Sequence, residues 1–442
     1  MSQLLTEYFV SGFTVLVPVI VPALSIPPAA TTWPASVFSL AVSAFLLPFG
    51  RLADIYGFAQ TQIMLVVCRA LQGLGPAAYL PAGLTLLGSL YRPGPRKNLV
   101  FSIYGAMAPL GFFIGIFFAG IAGQYAGWRW YFWIGAILTF FTTIIACFTI
   151  PSDVQARRGM GVKMDWLGSL TSSSGLIFLI FSITDSSHAP NRWATPYIYV
   201  CLLLGLLLLL LAFYVEWKVA LQPLLPLSIF QIKYMKPFIL GLLFAYGTLG
   251  IYVLYATLYI ENIMGVEPLR TVAWYVPFGL GGCILATLGG YVLHKISGTI
   301  MMFITGVAIM LDSLLFALAP VGANYWAWFF PAMISATVAI DLIFNVANIF
   351  FSTNLPERQQ GLAGALSNML LQLSIAILLG FADIVSTYTA DQGQRQSYKN
   401  VFWFELACGG VALVVFMGFV RIEKAKSDLT ADEKEEGVLS VR

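Results

Sequence analysis

The sequence predicts an all-α, polytopic membrane helical bundle, and three features of the chain point to it. Of the 442 residues, 59% are hydrophobic and only 10% are charged, and the mean hydropathy is +0.85. Soluble proteins carry about 25% charged residues, so this composition excludes a soluble enzyme or nucleic-acid binder. The apolar residues form blocks near the ~20 residues that cross a bilayer as a helix. Blocks such as 202–212 lack the alternation of barrel strands.

About thirteen apolar helices are predicted along the chain. They run over 8–25, 34–50, 61–88, 99–122, 130–150, 166–184, 196–216, 237–260, 270–292, 298–319, 325–351, 361–384 and 400–421. We expect an amino-terminal helical domain at 1–150, two linking spans and a central loop at 151–236, and a carboxy-terminal helical domain at 237–422. The charged segment 423–442 is predicted to be a disordered tail.

The Lys and Arg residues are distributed unevenly between the two sets of loops. Segments that follow odd-numbered predicted helices hold sixteen of the 23, whereas those after the fourth, sixth, eighth, tenth and twelfth helices hold five. The other two are Arg51, after the second helix, and Arg69, within the third. Because cytoplasmic loops are enriched in Lys and Arg, the first set and the carboxy terminus are predicted to be cytoplasmic.

Residues suited to catalysis or metal binding are scarce. The two histidines, His188 and His294, fall in predicted loops, and the five cysteines lie singly within apolar blocks. Metal centres need clustered ligands, so neither a metal site nor an enzyme is expected. The chain also lacks a G-x-x-x-x-G-K-[ST] string, which excludes a phosphate-binding loop of its own.

Three short motifs stand out at helix ends and within helices. Gly50, Arg51, Asp54 and Gly57 form the string G-R-L-A-D-x-x-G, and R-x-x-x-G begins at Arg69. A Gly/Pro-rich helix contains Gly105, Pro109, Gly111 and Gly115. Together these motifs resemble those of the major facilitator superfamily. Within it they are similar to the fourteen-span drug:proton antiporter branch and its fungal members of the aminotriazole-resistance type.

This resemblance implies two pseudo-symmetric helical domains that work by alternating access. It implies that Arg51 and Asp54 hold one gating state, that the Gly/Pro motif marks an antiporter, and that Arg69 lies in a central cavity and couples to proton movement. The implied partners are a small-molecule substrate, protons and the bilayer, without nucleic acid, in a monomer. The proton gradient would supply the energy without a cofactor. The plasma membrane is the expected location, and a vacuolar membrane is the alternative.

One span of the family pattern is missing near the amino terminus. In the family a complete span separates the loop motif from the R-x-x-x-G helix, whereas here Gly57 runs directly into the helix of Arg69. Charge gives the same conflict, because thirteen crossings cannot place both Arg51 and the Arg92–Lys97 segment in the cytoplasm. We hypothesise an exon-skipped isoform or a gene-model error.

Polar residues at membrane depth are candidate functional residues because burying them there is costly. Asp341, Asn345 and Asn348 are spaced i, i+4 and i+7, so they share one helical face and suit a proton or substrate site. Hydrogen bonding between helices is the alternative role. Arg69 and Gln72 share another face and are expected near a carboxylate or an anionic substrate.

Further polar residues leave more than one role open. Asp312 is either a second titrating residue or an anchor to a neighbouring helix. Glu216, Glu261, Asp383 and Glu405 are predicted near span ends, in contact with solvent. The tyrosines at 252, 255 and 259 form a stripe that either lines a cavity or packs within the protein or at the interface.

The predicted function is proton-coupled export of a small organic compound such as a drug, toxin or secondary metabolite. Two alternatives stay open. One is a truncated, inactive or regulatory membrane protein, because one span is missing. The other is an uptake permease or channel for ammonium or a small weak acid.

Overall fold

The computed structural model describes residues 2–24, 26, 38, 69–77, 79–80, 95–149, 165–220, 223, 225–292, 296–355 and 360–422. The regular secondary structure in these ranges is helical, without a strand, which confirms the all-α prediction. Among these residues, ten helices are long and apolar enough to cross a membrane.

The twelve helices named here follow the apolar blocks of the sequence. They are α1 (Ser2–Ala23), α2 (Pro95–Ile121), α3 (Arg129–Thr149), α4 (Trp166–Asp185), α5 (Pro196–Tyr214), α6 (Met235–Leu258), α7 (Pro268–Trp274), α8 (Val276–Val292), α9 (Gly298–Leu318), α10 (Phe330–Asn354), α11 (Gln360–Tyr388) and α12 (Gln394–Phe419). Short π-helical turns extend α2 (Ala122–Ala126), α5 (Val215–Val219) and α6 (Tyr259–Ile263), and another (Tyr325–Phe329) precedes α10.

The predicted spans and the observed helices differ at a few places. The predicted span 270–292 is divided at Tyr275 into α7 and α8. The predicted span 61–88 is described as helix at 69–77 and 79–80. The predicted span 34–50, apart from residue 38, lies outside the described residues. So do the loop motif Gly50, Arg51, Asp54 and Gly57, the position of the missing span, and the predicted tail.

The Gly/Pro-rich helix α2 packs closely against α1. A Cβ atom added to Gly111 would meet the backbone of Leu4, and one added to Gly115 would meet the backbone of Tyr8. Tyr8 also donates its hydroxyl to the carbonyl of Tyr131 at 2.9 Å, which ties α1 to α3. Small residues therefore allow two helix backbones to approach where a side chain would separate them.

The same helix α2 also contacts α8, which lies in the second half of the chain. A Cβ added to Gly279 would lie 2.8 Å from Phe113, and one added to Gly282 would lie 2.8 Å from the Cβ of Pro109. Helix α10 packs against α8 and also against α6, α9 and α11, while α12 packs against α6, α9 and α11. The α2–α8 contact is thus one of the places where the two halves of the chain meet.

Helices α4 and α5 pair with each other at the edge of the bundle, where α4 packs against α11. Helix α5 exposes a row of leucines, with Leu203, Leu207 and Leu210 each more than 60% exposed. In a membrane protein such a surface faces lipid, because apolar side chains there need no cover from protein.

Candidate functional site

Asp341 lies on α10 where three helices meet. The Cβ position of Gly282 on α8 is 3.2 Å from Asp341 Oδ2 and close to Pro109 on α2. The Oδ2 atom is buried, and it has no hydrogen-bond partner among the described residues. Burying a carboxylate oxygen without a partner is costly, so this atom is suited to receive a proton or a donor group of a ligand.

Asn345 and Asn348 share the face of Asp341, as their spacing predicts. Asn345 Nδ2 donates to the carbonyl of Asp341 at 2.7 Å, and Asn348 Nδ2 donates to the carbonyl of Phe344 at 2.9 Å. One of the two N–H hydrogens of each amide is therefore used within α10, rather than across to another described helix. The amide oxygens are left as acceptors on this face.

Arg69 is buried in the first half of the chain, with only 2% of its surface exposed. Its Nη1 atom donates to Gln72 Oε1 at 2.6 Å. The guanidinium carbon lies 4.2 Å from the ring centre of Phe13 and 4.4 Å from that of Phe38. Stacking on aromatic faces and a hydrogen bond to an amide stabilise the buried cation.

Asp312 and Glu405 face one small cavity between α6, α9, α10 and α12. Glu405 is completely buried, so the prediction that it contacts solvent near a span end is wrong. The reason is the start of α12: the helix begins at Gln394, which places Glu405 near the middle of a 26-residue helix. The predicted span 400–421 follows the apolar block and omits the polar first turns of the helix, which puts Glu405 near the start of that span.

Asp383 is also buried, so the prediction that it contacts solvent near a span end is wrong as well. Its Oδ2 atom lies 2.5 Å from His188 Nε2 and accepts a hydrogen bond from Ser187 Oγ at 3.1 Å. The turn that follows α4 therefore covers the end of α11. His188 lies in a loop, as predicted, but its imidazole is enclosed between two helices.

The tyrosine stripe of α6 is packed inside the protein. Tyr252 borders the cavity of Asp312 and Glu405 and donates its hydroxyl to Met333 Sδ at 3.1 Å. Tyr255 packs edge-on against Tyr398, and Tyr259 contacts Phe316. Of the three tyrosines, Tyr252 therefore borders the cavity of Asp312 and Glu405.

Metal binding by this region has no geometric basis in the part of the chain that the structure describes. Within those residues, no three His, Cys, Asp or Glu side chains are grouped so that they could hold an ion. The chemistry available at Asp341, Asp312 and Glu405 is the binding of protons or of polar ligand groups.

Comparison with known families identifies the family to which the chain belongs. The sequence model of the Major Facilitator Superfamily matches residues 57–379. The fold is similar to the crystal structure of the nucleoside transporter NupG, with a TM-score of 0.62 and 14% identity, over 95% of this chain and 98% of that chain.

Fungal transporters are similar along most of the sequence. The low affinity ammonium transporter of Saccharomyces cerevisiae is 32% identical over 434 residues, which cover 91% of this chain and 83% of the relative. The efflux pump terJ of Aspergillus terreus is 30% identical over 425 residues, covering 90% and 81% respectively. The aminotriazole resistance protein of Saccharomyces cerevisiae is 29% identical over 430 residues, covering 90% and 79%.

These matches confirm the resemblance predicted from the motifs. With its all-helical fold and its ten apolar spans among the described residues, this chain belongs to the major facilitator superfamily and is a multi-pass membrane transporter, not an enzyme.

Proposed function

We propose that this chain exports small organic compounds in exchange for protons, by alternating access. The observation that supports it best is the buried Oδ2 atom of Asp341, which has no partner among the described residues and lies at the junction of α2, α8 and α10. Alternating access changes the contacts between the two halves of a transporter. A proton-binding group at the junction of the two halves is therefore affected when the contacts between them change.

Asp341 exchanges a proton for substrate in this mechanism. As a carboxylic acid it is neutral and tolerates apolar surroundings, whereas as a carboxylate it requires a donor or a cationic group. Proton and substrate then compete for one side chain and favour different states of the transporter. Because such coupling is reciprocal, an inward proton gradient drives the substrate outward.

The other candidate residues extend this site. The amide oxygens of Asn345 and Asn348 lie on the same face as Asp341 and supply acceptors for substrate donors. Arg69 and Gln72 form a buried polar pair in the first half of the chain, and Asp312 binds a proton in the second half. The segments 1–150 and 237–422 are the two domains that rock around the site.

The charge distribution supports the proposed topology, and the similarity to fungal exporters supports the proposed location. The loops rich in Lys and Arg and the carboxy terminus face the cytoplasm, and the protein acts as a monomer in the plasma membrane. Reporter tags after Gly94 and at the carboxy terminus test this orientation, since both are expected to be inaccessible from outside an intact cell.

Transport in proteoliposomes tests the role of Asp341. The probe is labelled aminotriazole, and an enclosed pH dye records proton movement under an imposed pH gradient. We expect Asp341→Asn to lose at least tenfold of the gradient-driven flux, while Asp391→Asn, on an exposed turn between α11 and α12, transports as the wild type does. Unchanged coupled flux in Asp341→Asn at equal protein incorporation contradicts the proposal.

Uptake of ammonium is a second candidate function. It is favoured by the 32% identity to the low affinity ammonium transporter of Saccharomyces cerevisiae. The same vesicles distinguish the two candidates when labelled methylammonium replaces aminotriazole. Methylammonium flux without aminotriazole flux supports ammonium transport and rejects the exporter.

A further inference from the structure

A small cavity lined by two carboxyl groups lies between α6, α9, α10 and α12. The cavity has a volume of about 10 Å³, enough for roughly one water molecule. Its polar side chains are Thr248 and Tyr252 of α6, Asp312 of α9 and Glu405 of α12. Ala336, Ala339 and Ile340 of α10 form part of its apolar wall, and Asp341 is not among the lining residues.

Glu405 is fully buried. Among the described residues, neither of its carboxyl oxygens has a hydrogen-bond partner of good geometry, although the side chain of Ser313 on α9 interacts with it. An ionised carboxylate would lose its hydration here with little compensation. The Glu405 side chain is therefore suited to bind a proton or a cation that enters the cavity.

The polar contacts of Asp312 are with Ser313, and they suit a carboxylate or a carboxylic acid, depending on where the hydroxyl hydrogen of Ser313 lies. Ser313 Oγ lies 2.7 Å from the carbonyl of Ile309 and 3.0 Å from Asp312 Oδ1. A hydroxyl has a single hydrogen, and the carbonyl can only accept. When Ser313 donates to Ile309, its contact with Asp312 needs a hydrogen from the carboxyl group of Asp312.

Among the described residues, the titratable groups that interact electrostatically with the pair include Tyr252, Tyr275 and Cys408, none of which carries a positive charge. Among residues 225–292, 296–355 and 360–422, neither carboxyl group forms an ion pair with Lys or Arg. Two carboxylates enclosed together repel each other, so at least one of them must hold a proton or share a cation.

We propose that Asp312 and Glu405 form one buried site, separate from Asp341, in which at least one of the two carboxyl groups holds an exchangeable proton. The small cavity admits a water molecule that can relay this proton. Because α10 carries Asp341 and also forms one wall of the cavity, a shift of α10 changes both sites.

Infrared spectroscopy of the full chain in lipid nanodiscs tests the site without any need for transport. In an Asp341→Asn background at neutral pH, we expect a carboxylic acid band that shifts in heavy water. Glu405→Gln should change this band, and Asp312→Asn with Glu405→Gln should remove its contribution. Asp391→Asn on the exposed turn is the control and should leave the band unchanged.

Two results overturn the proposal. One is a spectrum that is identical with and without the two carboxyl groups in folded protein. The other is selective thermal stabilisation of the wild type by Na⁺ or Li⁺ over K⁺ at equal ionic strength, because it assigns the site to a metal cation. The second measurement needs no variant, so it applies even if the double variant fails to fold. The infrared band and the thermal stabilisation can both be interpreted even if the exporter proposal fails, because neither measurement depends on transport.

Discussion

Gln124 joins the two halves of the chain through a hydrogen bond to Glu267. Its Nε2 atom donates to Glu267 Oε2 at 2.9 Å, while its Oε1 atom accepts from the backbone N–H of Leu269 at 3.1 Å. Gln124 lies in the turn that extends α2, and Glu267 directly precedes α7. The charge distribution predicts that both segments lie at the extracellular end of the membrane, so we expect this contact to help hold the two halves together there.

Replacing Gln124 should open this end. The two bonds are partly solvated, and losing them should cost about 1 kcal/mol in the closed state, which shifts the equilibrium roughly fivefold. Thr271 is completely buried beside the contact. In a background without the native cysteines, Gln124→Ala should therefore raise the alkylation rate of Thr271→Cys several-fold. Gln396→Ala is the control, since Gln396 bonds to Asn400 within α12, and an equal rate in both variants contradicts the gate.

The glycines of α2 should differ in their tolerance of a methyl group. At Gly111 the added Cβ meets the backbone of Leu4, whereas at Gly105 nothing lies within 4 Å. Gly111→Ala should destabilise the protein by about 1–3 kcal/mol through overpacking. Gly105→Ala should be neutral or slightly stabilising, because it restricts the unfolded chain. Thermal unfolding in detergent measures both, and equal melting temperatures would show that α1 and α2 are not in close contact.

The pair of His188 and Asp383 should hold α4 and α5 against α11. Removing the imidazole leaves the buried Asp383 carboxyl group with Ser187 as its remaining partner, and losing a hydrogen bond to a buried polar group costs about 1–3 kcal/mol. His188→Ala should therefore increase hydrogen exchange in α4 and α5 before the rest of the protein unfolds. Asp185→Asn alters a more exposed bond to Tyr197 in the same region and should have little effect. The assignment fails if exchange rises equally in both variants.

Lysine should not replace arginine at position 69. The guanidinium is flat and stacks between Phe13 and Phe38, and an ammonium group offers neither the plane nor the fork of donors. Arg69→Lys should lose about 1–2 kcal/mol of stability. Arg129→Lys is the matched control, because exposed Arg129 lies 5.5 Å from a single ring, that of Trp128. Similar melting temperatures for the two variants would rule out a stabilising role for the aromatic stack.

The helical class, most of the spans and the shared face of Asp341, Asn345 and Asn348 were predictable from the sequence. Each of these depends on local periodicity and on the length of an apolar block, and both can be read directly from the sequence. The superfamily was also recognisable, because its motifs are short and contiguous. The loop motif at Gly50 and the missing span remain predictions, since they lie outside the described residues.

The pairing of residues across helices was decided by the tertiary structure alone. Gln124 and Glu267 are 143 positions apart, and His188 and Asp383 are 195 apart, distances over which the sequence carries no periodic signal. The depth of Glu405 depended on where α12 begins, and its proximity to Asp312 depended on the packing of α9 against α12. The sequence thus determined which residues enter the membrane, whereas helix packing determined which of them meet, because side-chain contacts are set by the positions of whole helices.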